Sequence, residues 1–158
     1  MKRTTTSRMP PRKENRNDAK KLREFYEADE TGWLETMAEH IENKKYNHVD
    51  FPNLAEFLRD MATRDRREVL SRLTTLIAHL LKWDHQPSMR TSSWESTIRV
   101  QRHALIDLCE SRTLLNHALE VLPKAYLRGR KIAADEAALP ESRFPSECPY
   151  SLDFMLQE

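Results

Sequence analysis

Apolar side chains return every third or fourth position along most of this chain, the spacing that gathers them on one face of an α-helix. From about residue 18 to 43, Leu22, Phe25, Tyr26, Trp33, Leu34, Met37, Ala38 and Ile41 keep that spacing, and Gly32 marks a place where the helix can divide in two. The interval NKKYNHVDFPN interrupts the pattern. Asp50 then suits the N-cap of a second helix, with Pro52 in a first turn where its missing N–H costs nothing. Leu54, Phe57, Leu58 and Met61 form one apolar edge of that helix, and the polar run TRDRRE predicts a bend or short break near Ala62 to Arg64.

Beyond it Val69, Leu70, Leu73, Leu76, Ile77, Leu80 and Leu81 form one broad apolar face, which makes this the core helix. Pro87 ends it, because the residue before a proline is pushed out of the helical region. After the loop PSMRTSS, Ser92 or Ser93 is expected to cap a helix on which Trp94, Ile98, Leu105, Leu108 and Cys109 share a stripe. Gln101 falls in the middle of that stripe, and a buried amide left without partners costs about 1 to 3 kcal/mol. A further helical region runs from about Leu114 to Ala138. Pro123 predicts either a kink or a fresh helix start within it, and Gly129, on its apolar side, permits the close approach of another element. Three prolines between Pro140 and Pro149 predict an extended segment wrapped over the bundle, closed by a last helical turn at 151–156.

Composition agrees with the pattern: the 158 residues include 8 Pro and only 2 Gly, too few glycines for a fold built on hairpins. A chain of this length suits one hydrophobic core. The expected fold is therefore all-α, a single-domain bundle of five to six helices over 18–158 with an extended Pro-rich C-terminal segment. Residues 1–17 contribute +5 to a net charge of +1, leaving the remainder at −4. This basic stretch has no apolar run to bury and is expected to be a disordered tail. It also lacks the apolar core of a secretory signal, and no stretch is long and apolar enough to span a bilayer, so a soluble cytoplasmic protein is expected, without membrane contact. Cys109 and Cys148 form no C-x-x-C pair and are read as reduced thiols, Cys109 as a packing residue.

The runs SRLTTLIAHLLKW, QP, SW, TIRVQR and LPESRFPSECPYSL, in this order and spacing, resemble the bacterial proteins grouped as domain of unknown function family 29. The similarity extends from about Tyr26 to Leu156. Asp29 and Trp33 match an early acidic and aromatic pair of the family pattern, and Asp50, Asn53, Leu54 and Glu56 match its D-x-x-N-L-x-E run. Glu30 stands where the family often has a bulky aromatic, and Ala62 where it has a glycine before the core helix. The resemblance implies packed helices and carries no mechanism.

Candidate chemistry centres on HLLKWDHQP, residues 79–87. His79 lies about 120° from the centre of the apolar face, with Trp83 between them. One reading makes His79, Trp83 and Gln86 a wall of a groove whose other wall is Trp94, Gln101 and Arg102. The other makes the same residues a structural corner, with Trp83 and Trp94 as anchors and His79 tying down a loop carbonyl. Neither H-E-x-x-H nor E-x-x-H occurs, so the metal-site signal is reduced to His103 and Asp107 on one helical face. No G-x-S-x-G elbow and no glycine-rich phosphate loop is present. No catalytic residue and no cofactor is assigned. The expected role is a non-enzymatic protein-interaction module or subunit with a protein partner, a homodimer with a second copy being one form of it. The alternative is nucleic-acid association through the tail and Arg90, Arg99, Arg102 and Arg112.

Overall fold

The computed structural model describes residues 14–157, with side chains from Lys20 onward. All regular structure among them is helical: α1 (Glu14–Ala28), α2 (Glu30–Glu42), α3 (Phe51–His85), α4 (Ser92–Cys109), α5 (Arg112–Ala137) and α6 (Leu152–Met155). Short 3-10 turns stand at Tyr46–His48, Pro87–Met89 and Glu141–Arg143. The chain forms two compact units, one ending at Asp60 and the other beginning at Met61. Helix α1 starts at Glu14, inside the stretch expected as a tail. The rest of that tail lies outside the described residues.

In the first unit the division between α1 and α2 falls at Asp29, three residues before Gly32. The Asp29 carboxylate accepts the Gly32 N–H at 3.0 Å and so caps α2. Gly32 is needed for this cap, because a Cβ there would stand 2.5 Å from Asp29 Oδ2. Trp33 and Met37 are fully buried with Val49, and the Trp33 ring meets Tyr26 at 4.7 Å and Phe57 at 6.4 Å. Asp50 caps α3 as expected: its Oδ1 accepts the Asn53 N–H at 3.4 Å and its Oδ2 the Asn53 amide at 2.6 Å.

No break occurs near Ala62 to Arg64, where α3 runs on without interruption. The polar run lacks an apolar face, but it also lacks Gly and Pro, and its arginines are good helix formers. Residues 58–64 are all exposed, so the sequence there changes face without changing conformation.

In the second unit the C-terminal half of α3 is the central helix. Leu73, Thr74, Leu76, Ile77, Ala78, Leu80, Leu81 and Lys82 are all buried, an arc of about 240° at about 100° per residue that leaves Arg72, Thr75, His79 and Trp83 partly exposed on the remaining side. Against it pack Leu105 and Cys109 of α4, Ala118, Ala125, Tyr126 and Ala133 of α5, and Leu152 and Met155 of α6. The expected approach at Gly129 is present: a Cβ there would meet Ile77 Cγ2 and the Thr74 carbonyl oxygen at 2.9 Å each. Helix α4 is capped by Thr91 rather than by Ser92 or Ser93, with Thr91 Oγ1 accepting the Trp94 N–H at 3.3 Å. No fresh helix starts at Pro123, since α5 continues through it. The hydrogen bond that proline forgoes would end on Leu119, an exposed residue whose carbonyl water can reach. Helix α5 ends at Ala138 in the left-handed conformation, φ 50°, and Leu139 N–H bonds back to the Ala134 carbonyl at 3.0 Å.

Candidate functional site

The C-terminal end of α3 carries the residues of HLLKWDHQP, and the structure gives each a separate partner. His79 is half-buried, and its Nδ1–H donates to the Thr75 carbonyl at 3.0 Å. The expected tie to a loop carbonyl is therefore replaced by a bond within its own helix, since residue i−4 offers an acceptor directly beneath the ring. Trp83 is half-buried, and Arg90 folds back over it from the following loop. The guanidinium lies 4.7 Å from the ring centre while Arg90 Nε donates to the Trp83 carbonyl at 2.9 Å. Gln86 reaches α5, its amide donating to the Ala137 carbonyl at 3.3 Å.

On α4, Trp94 is half-buried with the Lys82 ammonium 4.8 Å over its ring. Gln101 finds a partner across the helix pair, accepting from Arg72 Nη1 at 3.2 Å, while Arg72 also grips Glu68 at 3.0 Å. Arg102 lies over the Phe154 ring of α6 at 5.2 Å, and its buried Nε has no hydrogen-bond partner among the described residues. The same arginine borders a cleft of about 260 Å³ with Glu95, Arg99 and His103. The structure thus brings α3 and α4 together through Lys82 with Trp94 and Arg72 with Gln101, and sends Gln86 to the end of α5.

The strongest polar contacts are ones the sequence pattern did not single out. Lys82, 3 % exposed, forms an ion pair with Glu136 of α5, and the indole of Trp94 covers its other side. Asp84 accepts from the Tyr150 hydroxyl at 2.7 Å. Burial, and then that bond and the Asp84 charge, push the Tyr150 phenol well above its ordinary range. On α5 the Tyr126 hydroxyl and Arg130 Nη1 both donate to the Pro145 carbonyl, at 2.5 and 3.3 Å, and Arg130 also pairs with Glu141 at 3.1 Å. Burial raises the Tyr126 phenol as well, against the opposing charge of Arg130. Cys148 Sγ donates to the Tyr150 carbonyl at 3.3 Å, and the Phe144 ring meets His85 edge-on at 5.0 Å. Together these contacts hold the segment from Glu141 to Tyr150 against the ends of α3 and α5.

One signal for Lys82 was present in the sequence: it stands between Leu81 and Trp83, a lysine enclosed by apolar neighbours. Its partner Glu136 lies 54 residues away, and no local pattern joins them. His103 and Asp107 acquire no further ligand, and no group of three His, Cys, Asp or Glu side chains placed to hold a metal ion occurs among the described residues. No helix among those residues is long and apolar enough to cross a membrane.

Residues 25–158 match the family model described as domain of unknown function DUF29. No curated protein and no solved structure matches the chain.

Proposed function

The chain belongs to the DUF29 family, whose function is unknown, and from that premise we propose that it is a non-enzymatic protein-interaction module or subunit, working without a cofactor. The observation that carries the reading is an apolar strip on α5 left outside the core. Leu119 and Leu127 are 55 % and 57 % exposed, and exposed Pro123 stands midway between them. At about 100° per residue these three positions lie within an arc of about 80°, so they form one strip two turns long beside the buried face. Exposed apolar strips bordered by polar groups suit contact with another protein. Exposed Glu120 and Lys124 border this strip with charges of both signs, which suits an apolar partner segment flanked by polar groups.

The test is affinity capture from the native cell with the full chain and with the Leu119→Ser/Leu127→Ser variant, alongside light-scattering mass in solution. A stoichiometric partner held by the wild type and lost by a folded variant supports the reading. A doubled mass that the variant halves identifies the partner as a second copy. Equal capture by both proteins, with a monomeric mass for each, refutes it.

A second reading, association with nucleic acid, is favoured by Arg99 and Arg102 sharing one cleft with His103. Binding to duplex and single strands at two salt concentrations, with and without residues 1–17, separates the two. Phosphate contacts weaken steeply with salt. No binding at low salt removes this alternative.

The proposed setting is the cytoplasm of a bacterial cell, where Cys109 and Cys148 remain thiols. Both are free cysteines, and burial raises each thiol above its ordinary range, which suits packing rather than reactivity.

A further inference from the structure

A cavity of about 510 Å³ opens between α3 and α5 within the second unit, distinct from the strip at Leu119 and Leu127. Its charge is of one sign. Arg67 enters from α3, and Arg128 and Lys131 from α5, and no Asp or Glu lines it. Among the described residues none of these three cations holds an ion pair. The neighbouring carboxylate of Glu68 is taken by Arg72 at 3.0 Å. All three cations are exposed, so water screens their mutual repulsion and leaves each free to turn toward an anion that enters the cavity. Ser71 adds a hydroxyl to the wall, while Leu70 and Ile132 supply an apolar part.

The helices are fixed in this relation by the close approach at Gly129, where Thr74 and Ile77 leave no room for a Cβ. The two cationic edges therefore sit on rigid, directly packed elements rather than on loops. Guanidinium groups recognise phosphate oxygens in pairs, and lysine adds a point charge. The volume falls within the roughly 300 to 1,000 Å³ of small-ligand sites.

We propose that this cavity is a binding site for an organic diphosphate of nucleotide size. Its two phosphates lie between Arg67 on one side and Arg128 and Lys131 on the other, and its organic part rests against Leu70 and Ile132. The proposal stands independently of the partner-binding strip.

The test is isothermal titration of the full chain with ADP, with inorganic pyrophosphate and with a short single-stranded oligonucleotide, at about 150 mM salt where exposed charges are screened. One-to-one saturation by ADP, tighter than by pyrophosphate, is expected. Arg128→Gln/Lys131→Gln should weaken ADP binding about tenfold or more, since it removes two of three charge-assisted contacts. Arg67→Gln, on the other helix, should weaken it in the same direction. Arg143→Gln, at an exposed position in the 3-10 turn Glu141–Arg143 and outside the cavity, should leave it unchanged. Far-ultraviolet circular dichroism and the urea midpoint confirm that each variant folds.

Absence of saturation by either small phosphate up to about 5 mM, a Kd implying under about 3 kcal/mol of binding, overturns the proposal. So does equal weakening by Arg143→Gln, which would mean diffuse attraction. Binding of the oligonucleotide alone also overturns it, and assigns the cavity to a nucleic-acid backbone instead.

Discussion

Gly129→Ala sets two effects of opposite sign against each other, and the structure decides between them. Alanine is favoured over glycine inside a helix by about 1 kcal/mol, so on propensity alone the variant should be more stable. The added Cβ, however, would stand 2.9 Å from Ile77 Cγ2, 2.9 Å from the Thr74 carbonyl oxygen and 3.1 Å from Ile77 Cβ. Non-bonded carbon contacts settle near about 3.5 to 4.0 Å, so each must open by roughly half an ångström or more. Neither obstacle yields alone: Ile77 has no exposed surface, and the Thr74 carbonyl is part of the α3 backbone. Relief requires α5 to move off α3, and overpacking of this kind costs typically about 1 to 3 kcal/mol.

Because one obstacle is backbone and the other a buried branched side chain, the upper half of that range applies. The net loss is then about 1 to 2 kcal/mol, or about 2 to 4 °C in Tm for each kcal/mol. Urea unfolding followed by circular dichroism measures it, with thermal unfolding as a second readout. A midpoint equal to or above that of the wild type would refute the reasoning, since the propensity gain would then be unopposed and the helices not in contact there.

Lys82 and Glu136 should respond unequally to removal. Glu136→Gln strands a buried ammonium and is expected to cost about 1 to 3 kcal/mol, below the usual cost of breaking a buried pair because Glu136 is half exposed. Lys82→Met, which keeps contact with Trp94 and buries no charge, should stay within about 1 kcal/mol of wild type; chemical denaturation of the two variants tests the order. Tyr150 predicts an alkaline limb. Its phenol is raised in the folded state above the unfolded value of 10.0, so the stability it confers is complete below that pH and is lost as pH rises beyond it. The limiting slope is about 1.4 kcal/mol per pH unit for one proton, and Tyr150→Phe should flatten the decline seen in denaturation series above pH 10. Ala138→Gly should stabilise by up to about 1 kcal/mol, since Ala138 holds φ 50° at the end of α5; an unchanged or lowered midpoint would contradict this.

Which features are legible in a single sequence follows from the range of the forces involved. Periodicity located all the long helices, and the local chemistry of Asp50, Pro52, Pro87 and Gly129 was legible because each acts on its own turn or by its own lack of a side chain. The boundary falls at Asp29 rather than at Gly32 because the carboxylate makes the cap and the glycine three residues later only gives it room. Near Ala62 the apolar pattern is lost while the helix continues. Periodicity reports what a helix packs against, and residues 58–64 show that a helix persists where it packs against nothing in particular.

At the candidate site, the apolar face of α3 gives no reason for Lys82 to be buried, whereas the structure encloses it between Glu136 and Trp94. The pairs Lys82 with Glu136 and Asp84 with Tyr150 span 54 and 66 residues, distances at which a single sequence carries no trace of which carboxylate meets which cation or hydroxyl.

Tyr126 and Arg130 fasten the C-terminal segment through one main-chain oxygen, that of Pro145. A carbonyl is common to all twenty residue types, so this fastening is indifferent to spelling and sensitive to length. Exchanging Ser146 or Glu147 for another residue leaves the oxygen where it was. Inserting a single residue between Arg143 and Cys148 would put the count out of step, pulling Phe144 from His85 or Tyr150 from Asp84 while the Pro145 oxygen stays hooked. The segment is thus a measured tether, in which the number of links matters more than what each link is made of.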